Sequence, residues 1–211
     1  MSPRRAKAVG GRVGDDPATA LREHLIDVTE GLLSHAPIAA ITTRDIARAA
    51  EVSDGVLYNY FDDKTALILA ALVRRYHRLA RRFYDSLPEA GAATVEDNIV
   101  AFAKGLFDLL DEALPTVAGL LTEPVLFHRM LDEIHRDELS PQLMQARLGE
   151  YLIEEQRLGR LPAVDVAPVG ALLMGSVAVM ALSSHFAPMP NPVAPSVQLR
   201  PIVATILRGL V

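Results

Sequence analysis

The residues best suited to chemistry lie between Ile41 and Lys64, in the run ITTRDIARAAEVSDGVLYNYFDDK. Thr42, Thr43 and Lys64 fall where helices are expected to begin, and there the free backbone N–H groups and the helix dipole attract phosphate. Tyr58 and Tyr60 can donate hydroxyls to phosphates or pack on sugars. Arg44, Asp54, Val56 and Asn59 are the side chains placed to meet base edges. Ser53 and Gly55 complete this polar stretch. Such residues suit recognition of double-stranded DNA rather than bond making. No G-x-S-x-G, no phosphate-cradling Gly-rich loop and no H-E-x-x-H occurs in the chain, so an enzyme with a helical-bundle site has no residue to rest on. No cofactor is expected.

A second polar constellation is His128, Asp132 and His135, spaced i, i+4, i+7 on one helical face. Two imidazoles and a carboxylate at that spacing can share a zinc or nickel ion. A surface polar stripe is the plainer reading, because Phe127, Met130 and Ile134 take the inward side, and no metal site is assigned.

Positioning the first set requires two short helices and a tight turn. Thr42 can cap the first helix, with Asp45 closing a capping box, and Ile46, Ala47 and Ala50 give its apolar face. Glu51-Val52-Ser53 forms the turn. Ser53 caps a second helix to about Tyr60 that turns Leu57 inward and leaves Asp54, Val56, Tyr58, Asn59 and Tyr60 largely outside. Asp62 is the expected cap of a third, longer helix. Two helices crossing at a three-residue turn describe a helix-turn-helix, whose second helix can enter a major groove.

The rest of the chain reads as helices. From Pro17, Leu21, Leu25, Val28 and Leu32 form a stripe that ends before Pro37. The helix after Asp62 keeps one stripe from Leu69 to Leu87. Its opposite face carries Arg74, Arg75, His77, Arg78, Arg81 and Arg82. These lie roughly 15–27 Å beyond Lys64 along the axis, which suits a solvated face or pairing with an acidic second domain better than DNA. Thr94–Leu114 follows, restarted at Pro115, and then helices over Val125–Asp137 and Gln142–Leu158. Pro168–Phe186 is the most apolar segment. Its run from Val166 to Leu182 sits at the short limit for crossing a bilayer, so a helix buried in protein is expected, and no membrane. A last helix places Leu199, Ile202, Val203, Ile206 and Leu210 on a stripe. Two such apolar helices, at about 166–186 and 197–210, exceed what one small core needs and point to a homodimer.

Length and charge agree with this division. The 211 residues contain no Cys, which removes disulfides and thiol chemistry. Residues 1–82 hold 13 Lys/Arg against 10 Asp/Glu, whereas 83–211 hold 8 against 16. A basic N-terminal third with an acidic remainder suits DNA binding confined to one end. The start MSPRRAKAVGGR lacks the apolar segment of a signal peptide, and a cytoplasmic location is expected. Arg4, Arg5, Lys7 and Arg12 form either an arm for phosphates or a minor groove, or a solubilising tail.

Thr42-Thr43-Arg44-Asp45-Ile46-Ala47, Val52-Ser53, and Gly55-x-Leu57-Tyr58-x-Tyr60-Phe61 with Lys64 following resemble the TetR family of bacterial transcriptional regulators. The segment YLIEEQRLGRL, from Tyr151 to Leu161, and the apolar helix after it resemble that family's regulatory domain more loosely. The resemblance implies an all-α chain: a flexible basic arm at 1–16, a three-helix helix-turn-helix DNA-binding domain at 17–66, a connecting helix at 67–87, and a larger helical ligand-binding and dimerisation domain at 88–211. It implies DNA contacts at Thr43, Arg44, Tyr58, Tyr60 and Lys64. It also implies repression from an inverted-repeat operator, relieved by a small-molecule effector. An aliphatic lining favours a mostly apolar effector, with Phe102, Leu106, Leu110, Leu121, Phe127, Met130, Met174 and Val177 as candidate walls. Activation of transcription and non-specific, architectural DNA binding are the alternatives. Glu51 stands where the family prefers Gly, so the turn must reach its geometry another way. Asp54 stands where the family often has Lys, Arg or a small residue, and a carboxylate there can accept from cytosine N4 and set sequence preference.

Overall fold

Helices make up all regular structure among the described residues, 16–136, 140–186 and 193–209, of the computed structural model. The expected basic arm lies outside the described residues except for Asp16, as do Leu210 and most of the linker before the last helix. The order is α1 (Pro17–Leu33), a 3-10 turn (Ile38–Ala40), α2 (Thr43–Ala49), a 3-10 helix (Asp54–Asn59), α3 (Lys64–Asp85), α4 (Val95–Leu120), α5 (Pro124–His135), α6 (Pro141–Arg157), α7 (Val166–Phe186) and α8 (Pro195–Arg208). Two units separate within this order: 1–75 with 116–133, and 76–115 with 134–211.

In the first unit, Leu25, Ile26, Ile41, Ile46, Ala47, Ala50, Leu57, Phe61, Leu67 and Ala71 form one core. Of the expected α1 stripe only Leu25 is fully buried, and the inward line turns toward Ile26, Thr29 and Glu30. That rotation is tolerated because both polar residues find partners. The Thr29 hydroxyl donates to the Leu25 carbonyl at 2.8 Å, and Arg74 Nε stands 3.6 Å from Glu30 Oε2. Arg74 also pairs with Glu23 and Asp27, so one arginine of the basic α3 face is spent on α1 within its own unit. The cap of α3 is Asp63, whose Oδ1 accepts from Ala66 N at 2.6 Å, and not the expected Asp62. Both are good capping residues, and only the entry angle of the chain chooses between them.

In the second unit, Phe83 of α3 meets Phe102 of α4 edge to face, with ring centroids 5.2 Å apart. Arg82 pairs with Glu112, as expected of the acidic partner region. Fully buried Glu155 accepts from Gly91 N at 3.1 Å and faces Arg160 Nε at 3.2 Å, which ties the end of α6 to the 89–93 turn. Helix α6 packs on α7, and α7 on α8.

Helix α4 does not restart at Pro115 but runs through it to Leu120. Proline has no N–H for the carbonyl four residues back, which is that of Asp111. His185 Nε2, at the end of α7, lies 2.9 Å from that carbonyl and supplies the missing donor. Ser184 Oγ holds Asp111 Oδ1 at 2.7 Å. Helix α7 has 21 residues, longer than the 17-residue apolar run, and by length and composition it could cross a membrane. Only 28% of its most apolar window is buried within the chain.

Candidate nucleic-acid interface

Helix α2 begins as its sequence dictates. Thr42 Oγ1 accepts from Asp45 N at 3.2 Å, and Asp45 Oδ2 accepts from Thr42 N at 3.1 Å, a complete capping box. The Thr42 hydroxyl also donates to the same carboxylate at 2.6 Å. These bonds from Thr42, with smaller contributions from Arg48 and Arg44, hold the Asp45 carboxyl below its usual range.

The helix ends on a left-handed residue. Val52 N bonds to Ala47 O at 3.0 Å and Glu51 N to Arg48 O at 3.2 Å, which is the Schellman pattern with Glu51 in the position usually held by glycine. Glu51 has φ 55°, the only positive value on a non-glycine among the described residues. The turn therefore reaches its geometry by straining Glu51, at about 1–2 kcal/mol. Gly159 closes α6 with the same two bonds, Arg160 N to Glu155 O and Gly159 N to Gln156 O, at φ 71°.

The second short helix is a 3-10 helix of six residues, and Ser53 makes no side-chain cap bond. Its bonds run from Val56 N to Ser53 O at 2.9 Å and from Tyr60 N to Leu57 O at 3.1 Å. Leu57 is 3% exposed and anchors it. Asp54, Gly55, Tyr58 and Asn59 face outward, whereas Val56 and Tyr60 are half-buried, Tyr60 against the core. The tighter winding stacks residues three apart on one side, and so draws Tyr60 inward with Leu57. Arg44 and Asp54, the most exposed charged pair here, face each other across the two helices with Nε 3.8 Å from Oδ2. Thr43 is half-buried and Ser53 exposed. Lys64 is half-buried and donates from Nζ to the Ile41 carbonyl at 2.8 Å. Arg22 lies 5.0 Å over the Phe61 ring, bracing α1 against the end of the motif. Arg22 supports the motif without lying in its helices, and no spacing rule reaches it.

The eight candidate effector-wall residues differ in burial. Phe102, Leu106, Met130 and Val177 are buried, Leu110, Phe127 and Met174 half-buried, and Leu121 is 67% exposed. Leu121, Phe127 and Met130 belong to the first unit and the other five to the second. None of them lines either of two cavities in the second unit. One is a groove of about 690 Å³ between α7 and α8, walled by Pro168, Val169, Leu172, Ile202 and Ile206. The other, about 170 Å³, lies between α3 and α4 beside Phe83 and Gly105. His128 turns Nδ1 to the Pro124 carbonyl at 2.6 Å, and among the described residues no three His, Cys, Asp or Glu side chains gather to hold a metal.

Residues 25–71 match the family described as bacterial regulatory proteins, tetR family. The HTH-type transcriptional repressor KstR of Rhodococcus jostii (strain RHA1) is 36% identical over 61 residues, covering 29% of this chain and 29% of that protein. The chain thus spans under a third of that relative's length. A TetR-family chain from Mesorhizobium loti superposes with a TM-score of 0.70 at 15% identity, over 93% of this chain and 97% of that one. FadR from Bacillus subtilis, solved in complex with stearoyl-CoA, superposes with a TM-score of 0.59 at 16% identity, over 90% and 98%. At these identities the structural matches establish the fold: an N-terminal helix-turn-helix followed by a larger helical region.

Proposed function

We propose that this chain, whose residues 25–71 match the tetR family, is a TetR-family DNA-binding transcriptional regulator, a repressor that binds its operator as a homodimer and leaves it when a small, mostly apolar molecule binds. The observation that carries this reading is the capped, core-backed motif from Thr42 to Tyr60, which holds Arg44, Asp54, Tyr58 and Asn59 outward on one short helix pair. In this reading 17–66 binds DNA, 67–87 connects, and 88–211 senses and dimerises. Thr42 and Thr43 offer the α2 terminus to phosphate. Tyr58 and Tyr60 contact the backbone, and Arg44, Asp54, Val56 and Asn59 meet bases, with Ser53 and Gly55 between them.

Dimerisation is supported by apolar side chains that one copy leaves uncovered. On α7 and α8, Leu172 is 61%, Val179 63%, Phe186 76% and Val197 60% exposed. A second copy covers such a surface by two-fold symmetry. Two DNA-facing ends then meet major grooves about 34 Å apart or a multiple of it, and the operator is an inverted repeat. The stearoyl-CoA bound in FadR's structure supports an acyl or similarly amphipathic effector here.

Selection of duplexes from a random pool tests the reading. An inverted repeat should emerge, and Arg44→Ala should weaken binding to it by about 1–3 kcal/mol. Enrichment of no sequence, with equal affinity for every duplex, would refute operator recognition. Val179→Glu should leave a monomer in sedimentation and abolish binding to the full repeat; a persistent dimer would remove α7 from the interface.

A further inference from the structure

The ammonium of Lys64 reaches back over 23 residues to the main chain of Ile41, at 2.8 Å. Lys64 is the first residue of α3, and Ile41, itself only 2% exposed, directly precedes Thr42, the cap of α2. The first carbonyl to accept a bond within α2 is that of Thr42, from Ile46 N at 3.2 Å. The Ile41 carbonyl therefore lies outside the helical ladder, and Lys64 is its donor. Charged donors make the stronger hydrogen bonds of this kind. This bond closes a loop that contains α2, the Glu51 turn and the 3-10 helix, which is every residue of the DNA-facing surface apart from Lys64 itself.

We infer that Lys64 is a positioning residue for DNA binding: its ammonium clamps the two ends of the 41–64 motif and fixes the capped start of α2 against the 3-10 helix. This rests on the DNA-binding reading above. A lysine that clamps and a lysine that only touches phosphate have different signatures. Loss of a phosphate contact weakens binding to all sequences alike and makes the dependence of log affinity on log salt shallower by about one. Loss of the clamp disorders the face that reads bases, so it costs operator binding more than random-duplex binding and leaves the salt slope in place.

The test titrates the full-length chain against its selected operator and a random duplex across a salt series, well below the thermal midpoint. Lys64→Met should lose operator affinity about tenfold or more, with an unchanged slope, a lower operator-to-random ratio and a lower thermal midpoint. Lys64→Gln, which keeps an N–H donor without the charge, should recover part of the operator preference at the wild-type slope. A slope shallower by about one in either variant, with the operator-to-random ratio unchanged, overturns the clamp. Should Lys64→Met not fold, Lys64→Gln decides by the same slope. A wild-type chain that prefers no duplex would sink the DNA-binding reading instead, and the clamp is then judged by the Lys64→Met midpoint, an unchanged value overturning it.

Discussion

Replacing Glu51 by glycine should make this protein more stable. At φ 55° Glu51 holds a left-handed backbone that costs an ordinary L-residue about 1–2 kcal/mol and glycine almost nothing. Glycine loses more freedom on folding, by about 0.5–1 kcal/mol, so the net backbone gain is about 0.5–1 kcal/mol. Glu51 also sets a carboxylate just past the C-terminus of α2, where the helix dipole disfavours a negative charge by about 0.3–1 kcal/mol at low salt. Glu51→Gln isolates that charge effect, and Glu51→Ala removes the charge while keeping the left-handed strain. Thermal unfolding followed by circular dichroism should rank glycine above both, by about 1–4 °C for a chain of this size. High salt should shrink the Gln and Ala gains and leave the additional glycine gain intact. The reciprocal change is a second check. Gly159→Ala places a side chain at φ 71° where a Cβ meets nothing within 4 Å, so any loss of stability there is backbone strain alone. A Glu51→Gly protein no more stable than Glu51→Ala would refute the assignment of strain to that turn.

Gly55 has negative φ, and a Cβ on it would meet nothing within 4 Å, so Gly55→Ala should stabilise the free chain by about 0.4–1 kcal/mol while weakening operator binding through lost close approach. Stability and affinity falling together would show instead that Gly55 is needed by the fold. Thr42→Ala should cost the α2 cap about 1 kcal/mol. Because the Thr42 bonds lower the folded pKa of Asp45 beneath 3.8, their stabilising effect is full above that pH and fades as pH falls through the lowered value. Denaturant titrations should accordingly show the gap between wild type and Thr42→Ala narrowing in acid to the part that comes from the bond of Asp45 N to Thr42 Oγ1; a gap unchanged by pH would remove the Asp45 carboxylate from the cap. His185→Ala should cost about 0.5–1.5 kcal/mol by leaving the Asp111 carbonyl without its donor. Adding Pro115→Ala restores the helix's own N–H, so the double variant should recover part of that loss, and strict additivity of the two changes would disprove the link.

Local physics made much of this protein legible without a structure. A capping box needs only Thr42 and Asp45 three residues apart, helical stripes need only their period, and a left-handed turn residue is a property of one backbone position. The all-α class and the helix-turn-helix could therefore be read directly from residue types and spacing, and the odd standing of Glu51 from the family resemblance. The features that escaped join residues far apart in sequence. The inward turn of Glu30 toward Arg74 and the clamp from Lys64 to Ile41 each depend on how separate segments meet. Pro115 shows the reason most plainly. A proline signals a helix break because it leaves a carbonyl unpaired, and no local pattern can tell that His185, 74 residues away, pairs with that carbonyl and lets α4 continue. Which donors and acceptors a residue carries was set by the chain alone, and which of them found a distant partner was decided by tertiary packing.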